Sequence, residues 1–199
     1  MPVDPALFAS LRAAAERRGY WHPASRTGRG AAYDLFVAGV RAPATSSNLF
    51  DDLVLVAYTD DLGAPRVERF AATTDPGRAA LDHPQHPGGT ATVVPGQVRR
   101  CWAPGLHRGR YRALVHQRGV VIPVWRGSDR ATVHLDAAGI NLHHASGAAR
   151  VDWYSAGCQV VQRPSSLARI LELVDIQAVR GHGSTVSYTL FGPGEVGGM

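Results

Sequence analysis

With 45% hydrophobic and 19% charged residues in 199, the chain has the apolar content of a packed core and too little charge for a disordered one, and its length fits one domain with at most an appendage. The net charge of +5 is carried wholly by arginine, since no lysine occurs, and these arginines are scattered instead of forming an aromatic-interleaved basic stripe, which argues against a nucleic-acid groove. No run approaches the roughly 18 apolar residues of a membrane span, and two cysteines, Cys101 and Cys158, form neither a disulfide framework nor a metal-ligand pair by spacing.

Asp4-Pro5 sets an N-cap acceptor before a proline at the first helical position. Leu7, Phe8, Leu11, Ala14 and Ala15 then recur on one face, and Arg17-Arg18-Gly19 closes the run, so the pattern predicts an amphipathic helix over 5–18. Residues 19–47 are rich in Gly, Arg, Pro and Ser and read as an extended arm or a substrate-facing loop, with a short strand at 33–37. From Leu53 the period becomes that of strands: 53–59 (LVLVAYT), a turn at Asp60–Gly63, and a partner over 66–72. Residues 73–89 are a long loop holding His83 and His86, which lack companion ligands for a metal. Segments 90–94, 110–117, 120–125 and 131–135 continue as short strands, with His107, His116 and His134 expected as hydrogen-bonded structural residues and Cys101 as a packed one. A Cys101–Cys158 disulfide stays open at this point. Pro164–Val179 reads as a helix capped by Ser165, with Leu167, Ile170, Leu171 and Val174 as its core stripe and Gly181 at its end. Residues 185–191 alternate as a closing strand, and the Gly/Pro tail after Phe191 is expected to be loose.

The chemistry concentrates in 138–161, AGINLHHASGAARVDWYSAGCQVV. His143 lies fifteen residues before Cys158, and a thiol beside an imidazole can become a thiolate–imidazolium pair. Gly157 permits a turn that exposes the sulfur and frees the N–H groups of 157 and 158 for an oxyanion. The plainer alternative is that Cys158 is a buried small hydrophobe and the histidines are loop residues. Asn141 and His143 share a strand face, so Asn141 can orient the imidazole, as can a backbone carbonyl; His144 points the other way. Trp153 and Tyr154 can flank a substrate, and Ser155 can position the turn or simply form it.

Gly139-Ile140-Asn141-Leu142-His143, a spacer, then Ser155-Ala156-Gly157-Cys158 resembles the L,D-transpeptidase (YkuD-like) catalytic motif, with His before Cys. The likeness is to a divergent, often phage-associated branch ending Trp-x-Ser-Ala-Gly-Cys-Gln. It extends through 48–52, 73–77, 95–97 and 107–109 to cover roughly residues 46–191. The order of His and Cys sets the chain apart from papain-like peptidases. Two departures set it apart from the better-known members: Gln159-Val160 replace an apolar residue and Arg after the Cys, and Ala156 replaces a basic residue or His before the Gly.

The resemblance implies a mainly β fold with peripheral helices, an L,D-transpeptidase-like β-sandwich or sheet with one C-terminal helix after the Cys. It divides the chain into a helix and arm (1–45) and a catalytic domain (46–199). It implies acyl transfer or hydrolysis on peptidoglycan stem peptides, with Cys158 as nucleophile, His143 as base then acid, and no cofactor or metal. Arg112 or Arg126 is expected to grip the substrate carboxylate in place of the missing arginine. The N-terminus shows no basic segment followed by an apolar stretch, so delivery to the wall by a phage particle, host lysis or specialised secretion is expected. Two alternatives stand: a non-catalytic module of a phage or secretion apparatus, and a cysteine amidase with a non-wall substrate.

Overall fold

A computed structural model describes residues 4–23, 32–43 and 48–197. Ten strands and three α-helices follow in the order α1 (Pro5–Arg17), β1 (Phe36–Val40), β2 (Asp52–Thr59), β3 (Pro65–Thr73), α2 (Arg78–Asp82), β4 (Ala91–Val93), β5 (Gly96–His107), β6 (Tyr111–His116), β7 (Val124–Arg126), β8 (Leu142–His144), β9 (Gln159–Val161), α3 (Pro164–Val179) and β10 (Val186–Phe191). Eight strands close into a mixed barrel in the order β1-β10-β5-β6-β8-β9-β3-β2, and β4 pairs with β7 apart from it. The fold is mainly β, with one helix after Cys158.

Closure depends on β1, which runs parallel to β10 and antiparallel to β2. The division at residue 45 is therefore not structural: residues assigned to the arm complete the barrel. All five β1 residues are buried because both faces are covered. Val37 faces the main core, while Phe36, Ala38 and Val40 lie beneath Leu7, Leu11, Ala14 and Ala15 of α1. Asp4 caps α1 as its sequence requires, Oδ1 accepting from Leu7 N–H at 2.9 Å. The tail is anchored too: Glu195 pairs with Arg18 at 2.6 Å and Val196 is buried. The rest of the arm, 24–31 and 44–47, lies outside the described residues.

The longest strand, β5, has no period-two signature in the sequence. It carries Arg99, Arg100, Pro104 and Gly105, and a register shift against β10 falls where Arg100 adopts φ 50°. Residues 131–135, expected as a strand, make a single bridge from His134 to Val124. The 73–89 loop holds the short α2. Helix α3 begins at Pro164 without a side-chain cap, so Ser165 lies inside its first turn. Both cysteines are free; Cys101 is buried, which pushes its thiol up to about 12.

Helix α3 seats Leu167, Ile170, Leu171, Leu173 and Val174 in the cluster that holds Leu114, Leu142 and Val161 of β6, β8 and β9. That covers one face of these three strands. Fully buried Trp102 of β5 packs against the Tyr188 ring, tilted at 33° with centroids 4.5 Å apart, and donates from Nε1 to Ile140 O at 2.8 Å, fixing the approach to β8. Trp102→Phe strands that carbonyl, and a buried acceptor without a donor costs about 1–3 kcal/mol. A urea-denaturation midpoint lowered accordingly, with slower alkylation of Cys158, is the expected result.

Candidate active site

The site stands on the face of β6, β8 and β9 opposite α3. Strands β8 and β9 run parallel with His143 beside Val160, and Gln159 N–H donates to Asn141 O at 2.9 Å. Two pairs further back in the same register, Asn141 lies beside Cys158. Alternation then puts Asn141, His143 and Cys158 on one face. Antiparallel β6 adds Tyr111, and the hairpin from β5 adds His107.

The turn before the thiol is tightly specified. Ser155 is fully buried, donates from Oγ to Cys158 O at 2.8 Å, and accepts from Gly157 N–H at 3.3 Å. Gly157 sits at φ 123°, and a Cβ there would meet Ala91 O at 2.9 Å and Ala91 Cβ at 3.0 Å, so only glycine fits. Cys158 N–H makes no hydrogen bond among the described residues, leaving it as the donor for an oxyanion. The expectation of two free donors therefore holds for Cys158 alone, because Ser155 Oγ occupies the Gly157 N–H.

Cys158 is partly buried. Its Sγ donates to Gly139 O at 3.3 Å and accepts from Asn141 N–H at 3.4 Å. A carbonyl can only accept, so the sulfur rests as a thiol. Burial pushes its pKa up, opposed by the Asn141 amide and the charge of Arg108. His143 is nearly inaccessible, and burial lowers it to about 4, with His107 as the next cause. Its Nδ1 lies 3.1 Å from His144 O, which places the proton on Nδ1 and leaves Nε2 as the basic atom. Tyr111 Oη lies 3.4 Å from the same Nδ1. Among the described residues no hydrogen bond joins Cys158 to His143. The resting pair is thus thiol and neutral imidazole, not the ion pair that the spacing alone allows.

Asn141 does not orient His143. Its Oδ1 accepts from His116 N–H at 2.8 Å, which turns its Nδ2 toward His107 Nδ1, 3.0 Å away. His107 accepts there and therefore carries its proton on Nε2, while its ring stacks on His143 at 4.1 Å. His144 stacks on Tyr111 at 4.3 Å and accepts from Ser146 N–H at 3.0 Å. Trp153 stacks on His83 at 5.9 Å and, like Tyr154, is exposed beside the turn. Arg112 projects to the α3 face, where it pairs with Asp175, so alternation removes it from the thiol's side. Arg126 of β7 is buried, with Asp136 at 3.0 Å. The sequence reading missed His107, Tyr111 and Arg108 as site residues; only the β5–β6–β8 pairing, which no local pattern discloses, brings them here.

Comparison with protein-family models, with curated proteins and with solved structures finds no match.

A resting thiol has a kinetic signature. Because burial raises the Cys158 pKa, the reactive thiolate fraction is small at neutral pH and grows as pH rises. Alkylation by iodoacetamide should accelerate by about tenfold per pH unit between pH 6 and 8, as for any group titrated well below its pKa. A rate flat across that range, read by intact mass, would instead mean a preformed ion pair.

Proposed function

We propose that the protein is a cysteine acyltransferase or hydrolase acting on amides of peptidoglycan stem peptides, in the manner of the L,D-transpeptidases its motif resembles. The observation that carries the catalytic part is the common face of Cys158 and His143, with a free Cys158 N–H and a basic His143 Nε2. The choice of stem peptide rests on the motif's resemblance, with the chain's positive charge suiting an anionic polymer.

In this reading the Cys158 S–H proton passes to His143 Nε2 as sulfur attacks the amide carbon. The resulting oxyanion accepts from Cys158 N–H and, as Ser155 lets go, from Gly157 N–H. His143 returns the proton to the departing amine, and the C–N bond breaks to leave a thioester. A second amine or water then attacks, giving its proton to His143, and the thiol leaves protonated. His144 O holds Nδ1–H throughout, so Nε2 stays the shuttling atom. Neutral resting groups require no charge separation until substrate binds.

A second reading has one observation in its favour: Sγ is hydrogen-bonded to Gly139 and Asn141, not to His143. A non-catalytic module that keeps the fold would look the same at rest. Incubation with tetrapeptide muropeptides separates them. The proposal expects D-alanine release, as a tetrapeptide-to-tripeptide conversion or a new crosslink, with little action on stems ending D-Ala-D-Ala. Cys158→Ala should abolish it and Cys101→Ala retain it; His143→Ala should cost at least about 100-fold, the usual worth of a general base, and His144→Ala much less. No product on muropeptides, with Cys158 still reactive, would move the substrate outside the wall.

A further inference from the structure

The peptide that joins Gly157 to Cys158 carries the N–H left for an oxyanion, and its other end is held from inside the barrel. The Gly157 carbonyl accepts from Gln159 Nε2 at 3.3 Å, and Gln159 Oε1 accepts from Tyr188 Oη at 2.7 Å. Both side chains are buried, Gln159 wholly so. A carbonyl oxygen can only accept and the tyrosine hydroxyl here donates, so a single orientation of the Gln159 amide satisfies both ends. Room for the hydroxyl comes from β1, where a Cβ on Gly39 would overlap Tyr188 Oη.

The hold matters because this peptide sits on a permissive residue. Gly157 adopts φ 123°, and glycine opposes backbone rotation less than any residue with a Cβ. Turning the 157–158 peptide over would exchange its N–H for its carbonyl and present an acceptor where the oxyanion forms. That flip leaves the buried Gln159 amide without its acceptor, which is costly in a site closed to water. The next peptide is fixed separately: Ser155 Oγ donates to Cys158 O at 2.8 Å, and Gln159 N–H donates to Asn141 O at 2.9 Å. Hydrogen bonds in a chain also polarise one another, so the Tyr188–Gln159–Gly157 series strengthens Cys158 N–H as a donor.

We propose that Gln159 is a positioning residue for the reaction: backed by Tyr188, it fixes the 157–158 peptide with its N–H toward the reacting carbonyl and so builds the oxyanion site. The inference rests on Cys158 being the nucleophile. It holds for any acyl substrate, within the wall or outside it.

Two reagents for the same sulfur separate this role from a structural one. p-Nitrophenyl acetate acylates a thiol through a tetrahedral oxyanion: the S–C bond forms, p-nitrophenolate leaves with the bonding pair, and the thiol proton passes to His143. Iodoacetamide alkylates by displacing iodide, and no oxyanion forms. Both need the sulfur deprotonated and accessible, so the ratio of their rates at Cys158 cancels changes in pKa and exposure. In a Cys101→Ala background one thiol remains, and intact mass reads both reactions on it. Removing an oxyanion donor outright costs about 10²- to 10³-fold, and Gln159→Met, which only releases one, should lower the acylation-to-alkylation ratio about tenfold. Tyr188→Phe keeps the ring and the Gln159 amide, and should lower the ratio about two- to fivefold by loosening the end of the chain. Trp102→Phe disturbs the neighbouring approach to β8 and should slow both reactions together, leaving the ratio unchanged. An unchanged ratio in Gln159→Met or, if that variant does not fold, in Tyr188→Phe overturns the positioning role while leaving the nucleophile standing. A ratio lowered as far by Trp102→Phe overturns it too, since general loosening then accounts for the loss. No acylation of Cys158 in the background protein, with alkylation intact, overturns the catalytic reading itself.

Discussion

Everything the site can do depends on the parallel pairing of β8 and β9, two strands of three residues each. Short parallel strands are weakly held by their own hydrogen bonds, so their register has to be set from outside. Three contacts set it. Trp102 grips Ile140 O from within the barrel, α3 covers Leu142 and Val161, and Ser155 clamps the turn that leads into β9. A slip of one residue would bury Cys158 against α3 and turn Gln159 to the site. Gln159 is in turn fixed by Tyr188 Oη, which donates to its Oε1 at 2.7 Å deep in the barrel. The core of the fold and the placement of the sulfur are therefore one problem.

The same burial that holds the strands sets the electrostatics. Desolvation is the largest influence on both His143 and Cys158, and it opposes charge on each. A thiol and an imidazole made neutral by a common cause exchange a proton only when something stabilises the ions formed. For the thiolate, the charge of Arg108 and the free Cys158 N–H are the groups on hand. The stacked His107, whose own pKa burial lowers, accepts from Asn141 at its Nδ1 and packs flat against the imidazole. In the proposed reaction an occupant supplies the rest of that stabilisation.

The sequence discloses those parts whose physics is local. Helix α3 follows from the 3.6-residue spacing of Leu167, Ile170, Leu171 and Val174, β2 from its unbroken apolar run, and β3 as its partner across the turn at Asp60–Gly63. The Ser-Ala-Gly-Cys turn is legible because each residue has a local task. What stays hidden is long-range. Strand β5 mixes arginines with Pro104 and Gly105, because half of it lies on the barrel's wet surface and it bends at Arg100. The role of β1 cannot be read from five apolar residues in a polar arm, since its burial comes from α1 on one side and the core on the other. His107 looks like any structural histidine until the β5–β6 hairpin lays it on His143. Asn141 shares the expected face yet serves His107, for the backbone N–H of His116 fixes which way its amide turns.

The account stands or falls on a covalent intermediate at one sulfur. The direct measurement is acid quench of the protein during incubation with peptidoglycan tetrapeptide fragments, followed by intact-mass analysis and peptide mapping. The account predicts an acyl adduct on the peptide containing Cys158, absent from Cys158→Ala, and slower to form in His143→Ala. Turnover of the fragments with no adduct at any time, or an adduct carried by Cys101 or another residue, would contradict it.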